Sequence, residues 1–408
     1  MRATTLVDVS STAARPRPTR LHAGLLIWVL LFFNGLAFND IPLLIPIPAG
    51  VGKIATQGAL ALAVVLVLAF NRARLTRPNL FLSLLTLLAL SSLMMSVRLV
   101  NGPGTLFRAG RLCAFIGVLW LLSPLFGRAD RVLLKWHVTC LVAVLSTVVV
   151  GYLIAPGRAT QMDGRLAGQI WPIPPTQVGH YAAVLAGVII ILGLCGMVRG
   201  RTATLLGIGA VAVLLLCHTR TALIAMIVAV VCAMLSLLTV RRRVRQAAAV
   251  VLLAAVLAAT VLAPAVRTWY TRGQSAELVG QLNGRKGVWD ELMRAPRSRL
   301  SQTFGIGLTN KSFNGLPIDN SWLATYQDQG LFGVGICAAI IIFLLLFATT
   351  RPRGPNVAVA VFLVVYCTIA SFTETGLGDA SPYVLDLAVA ASLLAIPGDA
   401  VARAVSKA

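Results

Sequence analysis

Residues 205–238 read LLGIGAVAVLLLCHTRTALIAMIVAVVCAMLSLL, two long apolar runs separated by a short polar stretch. A membrane-spanning helix needs about 20 mostly apolar residues, and each run approaches that length. His218 and Arg220 lie between the runs, and a charge at the centre of a bilayer costs roughly 2.5–3.5 kcal/mol even on the most permissive scale. The stretch therefore predicts two spanning helices joined by a tight turn that places Arg220 at the membrane interface.

The whole chain has the composition of a polytopic membrane protein. Of its 408 residues, 58% are hydrophobic and only 12% are charged, whereas soluble domains carry about 25% charged residues. The seven cysteines fall mostly inside apolar runs and form no C-x-x-C pair, which favours small buried hydrophobic residues over disulfides or a zinc site. We therefore expect an all-α polytopic membrane protein.

The net charge of +22 arises from 35 basic and 13 acidic residues. Nucleic-acid binding is not expected, because many basic residues flank apolar spans and no soluble domain is present to carry a basic face. Loops rich in Lys and Arg are typical of the cytoplasmic side of a membrane protein. The basic, proline-interrupted start of the chain lacks a cleavage site after a short apolar core and is interpreted as a cytoplasmic tail, not a signal peptide.

The apolar runs predict about twelve spanning helices, at 22–38, 51–70, 79–97, 112–126, 137–155, 177–197, 203–217, 221–240, 247–266, 321–349, 356–373 and 383–397. With both termini cytoplasmic, every predicted inner loop is basic, as the positive-inside rule requires. The chain then divides into a tail (1–21), helices one to nine (22–267), a large extracytoplasmic loop (268–320), helices ten to twelve (321–397) and a second tail (398–408).

This topology places many arginines on the extracytoplasmic side, where the orientation rule predicts few. They are Arg98, Arg108, Arg111, Arg158, Arg165, Arg220, Arg267, Arg272 and Arg285. Each alone could be a snorkelling anchor or an ordinary loop charge. As a set they have few acidic residues to pair with, and this indicates an anionic ligand, because arginine binds phosphate in a bidentate geometry.

The large loop contains the segment GVWDELMRA (287–295), whose residues Val288, Trp289, Leu292 and Met293 share one face of a short helix. Such an apolar face predicts a helix that lies flat on the membrane. Arg285 comes just before it, where free backbone N–H groups already favour anions.

Several motifs on this side of the membrane resemble those of the O-antigen ligase and O-antigen polymerase superfamily of bacterial membrane glycosyltransferases. An arginine between two helices, a Gly-Arg followed by a Trp in a large loop, and a His-Asn pair followed by an aromatic residue, Leu, an acid and G-L-L-G characterise that family. The matching residues are Thr219, Arg220 and Thr221; Gly284, Arg285 and Trp289; and Asn320, Trp322, Leu323, Asp328, Gly330, Leu331 and Gly333. Residues 164–187 are also similar, so the resemblance covers roughly 160–345. Asp319 stands where the ligases place a histidine, which polymerases often lack.

The resemblance implies transfer of a sugar or glycan from a polyprenyl (pyro)phosphate donor to a hydroxyl of a glycan or glycolipid acceptor. It also implies an inverting displacement on the outer face of the bacterial cytoplasmic membrane, among membrane lipids and without a cofactor. Fixed arginines would stabilise negative charge that develops on the phosphate. We expect Arg220 and Arg285 in this role, with Arg165 and Arg111 as further contacts to the donor phosphate.

The proton of the acceptor hydroxyl requires a base, for which the sequence offers several candidates. Asp319 is the first, although an acid at this position could instead cap the following helix. His180 and His218 are alternatives at predicted outer helix ends, where histidines often have only an interfacial role. Asn320 and Asp40 are secondary candidates; Asp40 follows the first span, where other polytopic glycosyltransferases place an acid, but a loop or capping role fits it better. Metal dependence is not expected, because no D-x-D or clustered His/Asp spacing occurs.

The main alternative is a transporter or flippase of lipid-linked sugars. Such a protein is expected to show paired halves, broken helices and charges near the midplane. The sequence shows neither repeated halves nor mid-span charges, because its charges lie at helix ends on one side. A non-enzymatic scaffold would not require a long polar loop beside a set of arginines.

Overall fold

A computed structural model describes residues 18–38, 41, 43–71, 75–98, 102–128, 131–238, 245–246 and 284–396. Within these ranges the chain is mostly helical. The helices are α1 Pro18–Asn34, α2 Ala49–Phe70, α3 Leu80–Arg98, α4 Pro103–Leu122, α5 Val132–Ile154, α6 Pro156–Ala159, α7 Pro175–Leu194, α8 Gly200–Leu216, α9 Arg220–Leu237, α10 Arg285–Arg294, α11 Arg299–Phe304, α12 Ser321–Thr349, α13 Pro355–Ala370 and α14 Pro382–Leu394. A 3₁₀ turn, Ser123–Leu125, follows α4, and a small antiparallel hairpin pairs β1 (Ser312–Phe313) with β2 (Leu316–Pro317).

The chain folds as an all-α membrane protein. Seven of the described helices (α2, α3, α4 with its 3₁₀ extension, α5, α7, α9 and α12) are long and apolar enough to cross a membrane, and α1, α8, α13 and α14 are shorter apolar helices. Large apolar side chains such as Leu205 and Ile208 of α8 are exposed on the outside of the bundle. An exposed apolar surface of this kind suits contact with lipid.

Apolar helices occupy eleven of the twelve predicted spans, and the predicted span at 247–266 lies outside the described residues. The largest difference in boundaries concerns the fourth span, which was predicted to begin at residue 112. Pro103 instead starts α4, so that Arg108 and Arg111 lie within the helix and not in a preceding loop. Proline favours the first helical turn because it needs no hydrogen bond from its nitrogen there, whereas the sequence interpretation took the arginines as the end of a loop.

The centre of the bundle is formed by α7, α13 and α14, which are buried along most of their length. Gly187 of α7 lies against the ring of Phe362 from α13, so closely that a Cβ atom there would overlap the ring. The absence of a side chain at Gly187 thus lets the two helices pack tightly.

The two ends of the bundle are held together by different contacts. At one end, which we call the loop face, lie residues 155–174, 284–320 and 371–381; there the Leu166 N–H donates to the Leu216 carbonyl and the Ser321 N–H to the Ser371 carbonyl. At the opposite end, Arg77 donates to the carbonyls of Phe126 and Ile396.

The helix α12 is broken at Gly330, which has φ 66° and ψ −167°. The carbonyls of Gln327 and Asp328 accept hydrogen bonds from the N–H groups of Ile306 and Gly307, both at 3.0 Å, so the loop after α11 satisfies groups that the break leaves free. The predicted span at 321–349 coincides with α12, but the break within it was not predicted. Residues 331–349 form the long apolar part, and residues 321–329 form a separate short helix at the loop face.

Candidate functional site

The helix α10 positions Arg285 by packing against the segment that precedes α12. Val288 and Leu292 are buried, and Leu292 packs with Ile318 and Ala324. The Trp289 indole N–H donates to the Ile318 carbonyl at 2.6 Å. The predicted amphipathic helix is therefore present, but its apolar face is used for packing against the protein, which fixes Arg285 as the first residue of a well-anchored helix.

Arg285 contacts two other segments of the loop face. Its Nη2 lies 3.0 Å from Oδ2 of Asp319, and its Nη1 donates to the Thr373 carbonyl at 3.3 Å. The prediction that the arginines lack acidic partners is therefore wrong for Arg285. The ion pair forms across 34 residues of sequence, through the docking of α10 beside Ile318.

Asn320 has a structural role at the start of α12. Its Oδ1 accepts from the Leu323 N–H at 3.0 Å, and its Nδ2 donates to the Phe372 carbonyl at 3.0 Å. The N-cap of α12 is thus Asn320, and the alternative in which Asp319 is the cap is wrong. Asp319 has φ 44°, and its side chain is turned toward Arg285.

Arg165 links the segment 155–174 to the turn between α8 and α9. Its Nε donates to the Cys217 carbonyl at 3.1 Å, and its Nη2 lies 3.4 Å from Oγ1 of Thr219. Burial lowers the pKa of the Arg165 guanidinium, and the nearby Glu374 carboxylate opposes this effect. Thr219 belongs to the Thr-Arg-Thr motif, so Arg165 and that motif share one location.

Glu374 is the functional candidate that the sequence analysis missed. It lies half-buried in the segment 371–381, and burial, reinforced by the Asp319 carboxylate, raises the pKa of Glu374 to about 7. Arg285, Arg165 and a hydrogen bond with Thr176 act in the opposite direction. We call Arg165, Arg285, Asp319 and Glu374 the arginine cluster. Glu374 belongs to no recognised motif, and its only signal in the sequence was that few acids occur on this side.

Arg220 is the first residue of α9, and His218 lies in the preceding turn with φ 49°. Both side chains are half-buried. Thr219, between them, is the residue that meets Arg165. The turn therefore places Arg220 and His218 beside the arginine cluster, because each is adjacent in sequence to Thr219, which contacts Arg165.

Arg111 lies in a second charged group. Its Nη2 donates to the Ala380 carbonyl at 2.9 Å, and Nζ of Lys311 lies 3.1 Å from Oδ2 of Asp379. Burial alone would raise the pKa of Asp379, but Lys311 and Arg111 outweigh it and hold that pKa below its ordinary value. We call Arg111, Lys311 and Asp379 the lysine cluster. The structure thus groups Arg111 with Asp379, five residues from Glu374, while Arg165 and Arg285 surround Glu374 itself.

His180 and Asp386 lie inside the bundle. His180 Nε2 is 3.0 Å from Oδ2 of Asp386, and His137 Nε2 is 2.8 Å from Oδ1 of the same carboxylate. All three side chains are at most 4% exposed. The expected interfacial position of His180 is therefore wrong: it lies in the second turn of α7 but is buried, next to the buried carboxylate of Asp386 in the second turn of α14. The pairing joins α5, α7 and α14, which are far apart in sequence. Asp40 lies outside the described residues.

The described residues form neither a candidate metal site nor a disulfide. In the described part of the chain, no group of three or more His, Cys, Asp or Glu residues has a geometry that could hold a metal ion. None of the seven cysteines, all of which lie in the described ranges, forms a disulfide; five are buried, and Cys113 and Cys232 are partly buried. The chemistry that the loop face offers is that of two fixed guanidinium groups and a carboxyl group that titrates near neutral pH.

Neither protein-family models nor curated proteins give a match to this chain.

Proposed function

We propose that this chain is a membrane glycosyltransferase of the O-antigen ligase and polymerase type, which transfers a sugar or glycan from a polyprenyl (pyro)phosphate donor to a hydroxyl of an acceptor glycan or glycolipid. The observation that carries this proposal is the arginine cluster. Residues 165, 285, 319 and 374 come from distant parts of the chain and meet at one end of an apolar bundle. Two arginines beside an acid of near-neutral pKa suit a reaction that needs both a phosphate site and a proton acceptor.

The arginines would act on the leaving group. As the acceptor oxygen bonds to the anomeric carbon, the bond from that carbon to the phosphate oxygen breaks and the phosphate takes the electron pair. Arg165 and Arg285, with Arg220 beside them, would stabilise this developing charge, and one such donor can contribute about 2.7–4 kcal/mol. Attack from the opposite side inverts the anomeric centre.

The acid of the cluster would take the proton of the acceptor hydroxyl, a step typically worth ~10²–10⁴ in rate. Asp319 already accepts from Arg285, which supports a role in orienting that guanidinium. Glu374 has a pKa of about 7 and lies within electrostatic range of both Arg285 and Arg165. A base is most effective when its pKa lies near the working pH, so Glu374 is the better candidate.

The proposed topology has twelve spans with both termini in the cytoplasm of a bacterium and the loop face on the outer side of the cytoplasmic membrane. The opposite end of the bundle supports this orientation, because its short loops carry many basic residues. They include Arg77, Arg128, Arg131, Arg199, Arg351 and Arg353.

Transfer in proteoliposomes tests the proposal. The full chain is reconstituted with a polyprenyl-pyrophosphate-linked glycan donor and a lipid-linked acceptor, and wild type is compared with Arg220→Ala, Arg285→Ala and Glu374→Gln. We expect each arginine variant to lose about 100-fold or more in rate. Arg299→Ala is the matched control, because Arg299 is exposed on the neighbouring α11. Full activity in both arginine variants would refute the role proposed for the cluster.

Transport of lipid-linked sugars is a second candidate function, and two observations favour it. The break of α12 at Gly330 and the buried group of His137, Asp386 and His180 are features that secondary transporters share. Movement of a labelled lipid-linked glycan between leaflets, without any transfer to the acceptor, would support this function over the first.

A further inference from the structure

Three helices each contribute one ionisable side chain to a single buried point in the bundle. Asp386 of α14 presents its two carboxylate oxygens to two different imidazoles, His137 of α5 at 2.8 Å and His180 of α7 at 3.0 Å. The Cys367 thiol of α13 also approaches Oδ2, at 3.8 Å. We call His137, Asp386 and His180 the core triad.

The charge of the core triad depends on how many protons it holds. With Asp386 ionised, the triad carries −1 when both imidazoles are neutral, 0 when one is an imidazolium and +1 when both are. An uncompensated charge in the low-dielectric core of a membrane protein is costly, so the net-neutral state with one imidazolium is favoured. Either imidazole can hold that proton while the other still donates to the carboxylate, which makes the proton exchangeable within the triad.

The surroundings of the core triad contain no described charge that could substitute for this proton. From α1, Trp28 and Phe32 face His137 with their rings. The titratable neighbours from the other packed helices are all neutral groups at neutral pH: Cys140 from α5, Tyr181 from α7, Tyr366 and Cys367 from α13, and Tyr383 from α14. The proton of the triad is therefore what balances Asp386.

Buried polar atoms around the core triad have hydrogen-bonding capacity that the described side chains do not use. They are the hydroxyls of Tyr181, Tyr366 and Tyr383 and the Nδ1 atoms of both histidines. Each of these side chains is at least nine-tenths buried. Buried polar groups are normally hydrogen-bonded, so these atoms form a polar lining suited to internal water and to proton transfer.

This lining leads from the core triad to the loop face. The ring of Tyr383 lies 4.4 Å from that of His180, and it also lies against Gly376, two residues from Glu374. Both Tyr383 and Tyr366 are within electrostatic range of Glu374 as well as of Asp386. Each of the two tyrosines is thus near both the acid of the arginine cluster and the acid of the core triad.

We propose that the core triad is a proton-binding site within the membrane part of the protein, and that it exchanges its proton with Glu374 through the hydroxyls of Tyr383 and Tyr366. A proton leaves one imidazole nitrogen and is received at the Glu374 carboxylate, or moves in reverse, and no other reactant is needed. The proposal does not depend on whether the chain is a transferase or a transporter, because the ligand is the proton itself.

Histidine-selective ¹⁵N labelling of the full chain in liposomes tests the proposal directly. The chain has only four histidines. His22→Gln and His218→Gln therefore identify the signals of the other two. We expect the His137 and His180 imidazole signals to move together between about pH 5 and about pH 9, as the triad exchanges one proton. Signals that stay fixed over this range in wild type would show a locked structural group and overturn the proposal, without any variant being required.

Two variants then test the parts of the proposal. Asp386→Asn should abolish the imidazolium signal at neutral pH, whereas Asp290→Asn, which changes an exposed acid of α10, should leave it unchanged. Glu374→Gln should shift the midpoint of the histidine titration, and Tyr383→Phe should slow the proton exchange. An unchanged imidazolium in Asp386→Asn would refute the triad. Unchanged titration and exchange in both Glu374→Gln and Tyr383→Phe would refute the connection to the loop face.

Discussion

The carboxylate of Asp319 lies 3.0 Å from the guanidinium of Arg285, so that two residues from separate sequence motifs hold each other in place. Arg285 begins α10, and Asp319 directly precedes the Asn320 cap of α12. The orientation of each side chain therefore depends on the other, and their contributions to function are expected to be coupled.

Coupling between Arg285 and Asp319 predicts non-additive effects on transfer. Arg285→Ala removes the charge that is proposed to act on the donor phosphate, and Asp319→Asn removes the ionic partner of the same guanidinium. We expect the double variant to be no slower than Arg285→Ala alone, and Arg285→Lys to recover only part of the rate because it lacks the planar fork of donors. The measurement is kcat/KM for all four variants, and losses that simply add would show that the residues act independently.

Glu374 predicts a pH dependence of activity. If Glu374 accepts the proton of the acceptor hydroxyl, the carboxylate form is required, and transfer should rise as pH increases through about 7. Glu374→Gln should be slower at every pH and should lose this rise. A wild-type rate that stays constant across neutral pH would argue against Glu374 as the base.

Protonation of Glu374 also predicts that stability falls as pH rises, the opposite of the trend expected for activity. The pKa of Glu374 is raised from 4.5 to about 7, so the folded state binds the proton more tightly than the unfolded state does. The free energy of unfolding should therefore fall as pH rises between these values, by about 3 kcal/mol at most. Thermal unfolding of Glu374→Gln should lack this dependence and should show a higher stability than wild type at pH above about 7. Parallel curves for the two proteins would contradict the prediction.

Gly330 predicts a severe effect from the addition of one methyl group. Its φ and ψ are accessible essentially only to glycine, and a Cβ atom would overlap the Thr303 carbonyl. We expect Gly330→Ala to lower stability by about 3 kcal/mol or more. Gly335→Ala, in the same helix and with nothing near its Cβ position, should be neutral or slightly stabilising. Equal unfolding temperatures for the two variants would show that the break of α12 is not required.

The Lys311–Asp379 pair predicts a loss of stability in acid. The pKa of the Asp379 carboxyl is lower in the folded protein than in the unfolded chain. The stabilisation by Asp379 is therefore complete above the unfolded pKa of about 3.9, and it is lost as pH falls through the lower pKa of the folded state. Asp379→Asn should cost about 1–3 kcal/mol at neutral pH and should flatten this acid dependence. The exposed acid Asp290 provides the comparison, because Asp290→Asn should change neither quantity.

Replacement of Thr219 is expected to change how firmly the Arg165 guanidinium is held in position. The Thr219 hydroxyl lies 3.4 Å from Nη2 of Arg165, and Thr219→Val keeps the shape while it removes this partner. We expect slower transfer with little loss of stability. Arg165 keeps its hydrogen bond to the Cys217 carbonyl, but the contact that holds its Nη2 atom in place is lost. Thr221→Val, two residues further along α9, is the control. A Thr219→Val protein with the full rate would show that this contact does not position Arg165.

The sequence predicted the helical architecture because apolarity is a local property. A run such as 205–216 specifies an apolar helix regardless of what it packs against, and eleven predicted spans coincide with helices. The break at Gly330 was missed because a glycine is common in apolar helices, and its strained conformation depends on the loop at Ile306 and Gly307.

The candidate site was predictable only where residues lie in a motif. Arg220, Arg285 and Asp319 were found in this way. Glu374 was not found, because its pKa depends on Arg285, Arg165 and Asp319, which only the folded chain brings near it. The buried environment of His180 was missed for a related reason, since its partner Asp386 and the second histidine, His137, come from other helices.

The shortness of α14 has a consequence for the donor in the proposed transfer reaction. Its 13 residues extend about 20 Å, whereas the hydrocarbon core of a bilayer is about 30 Å thick. If its far end is level with one membrane surface, the segment that carries Glu374 is sunk about 10 Å beneath the other. A phosphate tethered to a lipid chain can be drawn down to that depth, but a freely dissolved sugar nucleotide would have to leave water entirely. The depth of this segment beneath the membrane surface would thus be enough to favour donors carried by a lipid.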